Sequence, residues 1–161
     1  TGVQTCALPI CSMMSRGANA VANGNQLVDR VVTYARSVGL IAKTEVPCGK
    51  RLWDAQRYID VMLCERDGCN PMGLECKFQM MPGSAEEKLL ATLQDIESWH
   101  FPGLLVYEGP GFSRGLLRYL HKHPLAIRLA ELPDRLNTQY AVGFRPIRLY
   151  DENPDSHPEL F

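Results

Sequence analysis

The chain has 161 residues, 45% apolar and 22% charged, with a net charge of -1. That length holds one domain with a real core and leaves little room for two. No apolar run approaches the ~18 residues that would cross a membrane, and no basic tail is present, so any nucleic-acid-binding surface has to be local.

Residues Thr1–Ile10 (TGVQTCALPI) resemble the conceptual translation of a sequencing adapter joined to a metagenomic gene fragment, and they are excluded from the fold reading. Residues 1–23 as a whole read as an artefactual or flexible lead-in. Gln26–Val38 carries Leu27, Val28, Val31, Val32, Ala35 and Val38 at helical spacing, with Gly39 where a C-terminal glycine belongs. Ile41–Val46 reads as a strand ended by Pro47, and Lys50–Gln56 as a loop. Tyr58–Glu65 and Gly73–Gln79 read as two strands of a hairpin around Asp67-Gly68. Ser84 and Glu87 fit a capping box opening a helix over 85–99. Leu104–Tyr107 suits a buried strand. Gly109-Pro110-Gly111 reads as a turn, 113–122 as a helix, 125–129 as a further short strand and 131–140 as helical. Residues 24–150 therefore form the domain, and 151–161 read as a disordered tail. The order implies a mixed α/β sheet with helices on both faces.

Strand side chains alternate faces, so Tyr58, Asp60 and Met62 share one face of the first hairpin strand, and Ile59, Val61 and Leu63 the other. Glu75, Lys77 and Gln79 likewise oppose Leu74, Cys76 and Phe78. A turn centred between Asp67 and Gly68 pairs residues whose numbers sum to 135, which sets Asp60 across from Glu75 with Cβ atoms ~5 Å apart. Asn70-Pro71 points to a longer loop than two residues, which leaves that register open. Two facing carboxylates repel unless a cation lies between them, and hard oxygen ligands with room for water suit Mg²⁺ or Mn²⁺. Lys77 on the same face can orient an attacking water or help to deprotonate it. The bland alternative is a solvated sheet face, on which such residues are common.

RYIDVMLCE, MGLECKFQ, the helix start GSAEEKLLATLQDIE and the strand GLLVYEG resemble, in that order, the catalytic core of the PD-(D/E)XK, or restriction-endonuclease-like, nucleases. The resemblance spans about Gly24–Leu120. It implies a mixed sheet of about four strands flanked by helices and a divalent-metal-dependent hydrolysis of phosphodiester bonds, in DNA above all. Asp60 and Glu75 would be the metal ligands, with the Cys76 carbonyl as a further one, Lys77 the catalytic lysine and Gln79 an accessory residue. Ile59 stands where the name-giving pattern has proline. Val28 stands near the place of a first-helix glutamate, with Asp29 beside it as a candidate ligand.

Lys50, Arg51, Arg57 and Lys88 are candidate phosphate contacts, each weighed against ordinary surface charge. Trp53 reads as a base-stacking residue or as packed on the sheet. Gly109-Pro110-Gly111 with Ser113 reads as a plain turn before an anion site. His100, His121 and His123 match no metal spacing. Cys48, Cys64, Cys69 and Cys76 form no CxxC pair and read as reduced thiols of a cytoplasmic protein. A homodimer would cut both strands, where a monomer would nick. The rival expectations are a non-catalytic member of the same fold that binds nucleic acid or protein, and an unrelated α/β module.

Overall fold

The structure, a computed structural model, describes residues 16–51, 54–82 and 86–143, with the backbone alone for 16–23. The elements in chain order are α1 (Arg16–Ser37), β1 (Ile41–Lys50), β2 (Gln56–Cys64), β3 (Met72–Phe78), α2 (Glu86–Glu97), β4 (Gly103–Glu108), α3 (Arg114–Lys122), β5 (Ala126–Arg128) and α4 (Leu132–Tyr140). The proposed cap residue Ser84, the tail over 151–161 and Trp53 lie outside the described residues.

The five strands lie in the order β1-β2-β3-β4-β5. β1, β2 and β3 pair antiparallel, and β4 and β5 add parallel to β3. The mixed sheet with helices on both faces agrees with the expectation, with five strands in place of about four. Val31, Ala35, Val61, Leu63, Leu74, Cys76, Val106, Leu132 and Leu136 make one core, so α1 and α4 cover one face. Leu89, Leu93, Ile96, Leu105, Tyr107, Leu116 and Leu120 make the other, under α2 and α3.

Three boundaries differ from the sequence reading, each for a physical reason. α1 begins at Arg16, across residues that read as lead-in; the alanines at 18, 20 and 22 favour helix enough to offset the polar residues between them. β1 runs through Pro47 to Lys50, which proline tolerates because β1 is an edge strand and the missing N–H faces no partner. The hairpin loop is long, as Asn70-Pro71 suggested, with Glu65 N–H donating to the Cys69 carbonyl. The register is nevertheless the one centred on Asp67-Gly68: Val61 faces Leu74, Met62 faces Gly73 and Leu63 faces Met72.

The expected alternation in β2 fails at one place. Val61 and Leu63 join the α1 core, but Ile59 joins the α2 core. Opposite this change, Thr44 pairs with Val61 and Val46 with Ile59, and Glu45 between them adopts φ 50. A left-handed residue in a strand rotates the chain beyond it. Asp60 sits at that twist.

Candidate active site

The ladder between β2 and β3 ends at Val61 and Leu74. The next close pair in this register would be Ile59 with Cys76. Instead the Cys76 N–H donates to Oδ2 of Asp60 at 2.8 Å. The strands therefore fork at Asp60, and its carboxylate replaces a backbone carbonyl as the acceptor. In a strand the N–H and C=O of one residue project to the same edge, so the Cys76 carbonyl also faces the fork. β3 remains fixed beyond the fork by β4, with Glu75 beside Leu105 and Lys77 beside Tyr107.

Lys77 Nζ donates to Oε2 of Glu75 at 3.1 Å and lies 3.4 Å from Oδ2 of Asp60. The three groups chosen from sequence are thus brought together. Their exposure is graded: the Glu75 side chain is 6% exposed, Asp60 33% and Lys77 37%. Glu75 forms the floor, and the other two open to solvent. Oε1 of Glu75 is buried with no hydrogen-bond partner. An unsatisfied buried carboxylate oxygen is costly, and an acceptor oxygen in such a place fits a cation. Burial pushes the Glu75 carboxyl above the usual carboxylate range; Lys77 opposes this and Asp60 adds to it. For Lys77, burial pulls the ammonium down, but Asp60 and Glu75 together outweigh it and hold the pKa above the usual lysine value. Lys77 is therefore a cation at neutral pH.

The other residues singled out from sequence fall elsewhere. Asp29 is exposed on α1, which packs on the Cys76 face of the sheet, and it does not join Asp60 and Glu75. Helical rotation of ~100° per residue turns Val28 to the core and Asp29 to solvent. Gln79 does not reach the two acids; its Nε2 donates to the carbonyls of Met81 and Gly111, which ties the end of β3 to the 109–111 turn. That turn packs so closely that a Cβ on Gly109, at φ 116, would strike the Gln79 backbone. Arg57 is paired with Asp95 of α2 at 2.6 Å, a partly buried ion pair in place of a phosphate contact. Lys50 is paired with Asp54 at 2.7 Å on the surface. Arg51 is exposed, and its charge acts on Glu75 from a distance. Lys88 is exposed on α2. Ser113 caps α3, accepting from Leu116 N–H at 3.2 Å, so the turn reading of Gly109–Ser113 holds.

Sequence reasoning missed two supports. Gly73 and Gly103 are paired across β3 and β4, and both lie under the Trp99 ring, where a Cβ would collide. Trp99 Nε1 in turn donates to Asp95 at 3.2 Å, on the carboxylate that holds Arg57. This clamp fixes α2 over β3 next to Glu75. Glycines at the starts of both strands were the available signal, because a glycine in a strand marks close approach. A cavity of about 230 Å³ opens one strand further on, between Phe78, Tyr107, Leu117 and Arg128. Asp60 and Glu75 do not line it, though Glu108 does; Tyr107 is the strand partner of Lys77, so the cavity adjoins the site.

Among the described residues no helix is long and apolar enough to cross a membrane, and Cys48, Cys64, Cys69 and Cys76 are free. No curated protein matches the chain. Two solved structures are similar in part. One is a protein of unknown function, AF1548, at 24% identity and a TM-score of 0.42, covering 63% of this chain and 56% of that one. The other is a repair endonuclease from Pyrococcus abyssi, at 20% identity and a TM-score of 0.39, covering 63% and 44%. The match thus spans about half the length of each, and neither likeness carries weight for mechanism. The model of the PD-(D/E)XK nuclease superfamily domain matches residues 15–142, nearly the whole described region. With the mixed sheet, the two covering helix layers and the D…ExK residues gathered at a strand fork, the chain belongs to the PD-(D/E)XK nuclease superfamily and has its restriction-endonuclease-like α/β fold.

Proposed function

We propose that the protein is a divalent-metal-dependent nuclease that hydrolyses phosphodiester bonds in DNA. The observation that supports this most is the buried, unpartnered Oε1 of Glu75 beside Asp60 and Lys77. Asp60, Glu75 and the Cys76 carbonyl would hold one Mg²⁺ or Mn²⁺ ion. When bound, the ion would neutralise the facing carboxylates, acidify water and polarise the phosphate.

The residues of the chain have distinct parts in this reading. Glu75, buried and fixed beside Leu105 of β4, would present its unpartnered oxygen to the ion without moving. Asp60 is oriented by the Cys76 N–H and keeps its second oxygen for the ion. Lys77 stays protonated, so its ammonium binds a phosphate oxygen and orients the attacking water, stabilising charge that grows as the bond to phosphorus breaks. A cytoplasmic location fits the free thiols. Lys88 and Arg51, exposed near the ends of their elements, are retained as candidate phosphate contacts.

The test is incubation of purified protein with supercoiled plasmid and linear duplex, in Mg²⁺, Mn²⁺ or EDTA. Nicking or degradation is expected with divalent ion only, lower by roughly 100-fold or more in Asp60→Ala, Glu75→Ala and Lys77→Ala. Unchanged cleavage in Lys77→Ala would remove the role given to the lysine. Linearisation in one event would indicate two cooperating copies, and nicked circles a single one. Binding without any cleavage would leave the non-catalytic reading of the same fold.

A further inference from the structure

We infer that the exposed face of α3, anchored by Arg114, Arg118 and Lys122, grips the sugar-phosphate backbone of the nucleic acid away from the bond that is cut. The inference rests on the proposed action on nucleic acid but not on catalysis. α3 reads RGLLRYLHK, with no acidic residue. At 3.6 residues per turn the three cations fall within an arc of roughly 80°, about 6 Å apart along the axis. His121 falls at the edge of the same arc. The buried Leu116 and Leu120 lie on the opposite side of the helix, so the basic arc faces solvent squarely. Arg114, Arg118 and Lys122 are all exposed, and among the described residues no ion pair engages any of them.

The contrast with the basic residues near β2 decides the choice. Lys50 and Arg57 are neutralised by Asp54 and Asp95. The exposed Arg51 and Lys88 stand singly on separate segments, whereas α3 sets three cations in one arc; Glu86, which accepts from Ser113 N–H at 3.2 Å, is an acid at its first turn, and the arc beyond it has a local field suited to a polyanion. Tyr119, 47% exposed about 60° round the helix from Lys122, packs its ring on His123 at 5.5 Å, so the contact asked of this face is with phosphates. The position is also right. Leu117 of α3 and Arg128 of β5 line the cavity that adjoins Tyr107, the strand partner of Lys77.

The test measures binding apart from cleavage. A fluorescein-labelled duplex of two helical turns is titrated with protein in EDTA, by anisotropy, across roughly 50–200 mM salt. For Arg114→Gln/Arg118→Gln/Lys122→Gln, affinity at the lowest salt should fall about ten-fold or more, and the slope of log K on log salt should shrink by roughly 2.7. Arg114→Lys/Arg118→Lys should keep the slope, and Lys43→Gln on β1 should change both quantities little. A triple variant with native circular dichroism and unchanged affinity and slope would overturn the inference, as would parent protein that binds no nucleic acid at low salt. Parent protein that binds through α3 but cuts nothing would leave the inference standing and remove the catalytic reading alone.

Discussion

Glu75 and Lys77 both bind their protons more tightly in the fold, with different consequences at neutral pH: the Glu75 carboxylate is disfavoured and the Lys77 ammonium favoured. A carboxyl whose folded pKa exceeds its unfolded value binds its proton more tightly when folded. Stability is therefore lost as pH rises through the ordinary carboxylate range to the raised value, and the loss persists at neutral pH. Glu75→Gln should then melt higher than the parent at neutral pH in EDTA, and the two melting curves should converge as pH falls below the carboxylate range. A variant that melts lower at neutral pH would mean that the Lys77 pairing outweighs burial. Lys77, also raised, has the same linkage sign in a different window: its contribution is complete at neutral pH and fades as pH climbs from the usual lysine range through the raised value. The nearby Cys76 thiol is buried and pushed far up by that burial, so it stays protonated and contributes its backbone rather than its sulfur. In the proposed reading, the stability lost at Glu75 would be recovered when a cation binds its buried oxygen.

At the scale of elements, the fork between β2 and β3 depends on α2 staying on the sheet. Its docking uses Trp99 over Gly73 and Gly103, with Ile96 also against Gly103. Gly103→Ala should cost about 1–3 kcal/mol in urea unfolding, since the added methyl meets two packed side chains. Asp95→Ala should cost about 3 kcal/mol, because it strands Arg57, whose guanidinium is partly buried, and frees the Trp99 N–H. The expected ordering is that both changes lower stability more than Asp54→Asn, which breaks the exposed pair with Lys50 and keeps a side chain suited to the left-handed φ of 62 at that position. The 109–111 turn is a second such joint. Gly109→Ala combines a left-handed φ with a backbone collision and should yield little folded protein, read by soluble expression and circular dichroism.

For the whole molecule, an ion that binds only the folded chain must raise its stability by mass action. At a divalent concentration about 100-fold above its dissociation constant the gain is about 2.7 kcal/mol, or roughly 5–10 °C in melting temperature for a domain of this size. Mn²⁺ should therefore raise the melting temperature of the parent, and the rise should vanish in Asp60→Asn. An equal rise in that variant would place the ion elsewhere on the chain. β3 and β4 are buried along most of their length, so an ion bound at the fork would be held by a strand packed deep in the sheet.

Much of this was legible from the residues in order. The apolar spacing over 26–38 marks α1, the alternation over 73–79 sets Glu75 and Lys77 on one face, and Asp67-Gly68 centres the register of the hairpin; the expected pairing of Asp60 across from Glu75 does not form, because the ladder ends at Val61 and Leu74 and Asp60 turns to the Cys76 N–H. These signals are local, carried by periods of 3.6 and 2 and by turn chemistry. The partners of Arg57, the twist at Glu45, the glycine floor under Trp99 and the place of Gln79 at the 109–111 turn were not legible. Each depends on contacts between residues far apart in the chain, and no period or turn motif encodes which surface a helix will meet once the sheet is assembled. The sequence by itself determined the three chemical groups and the strands that carry them; tertiary packing alone decided that one acid is buried, one is half open, and the strands part between them.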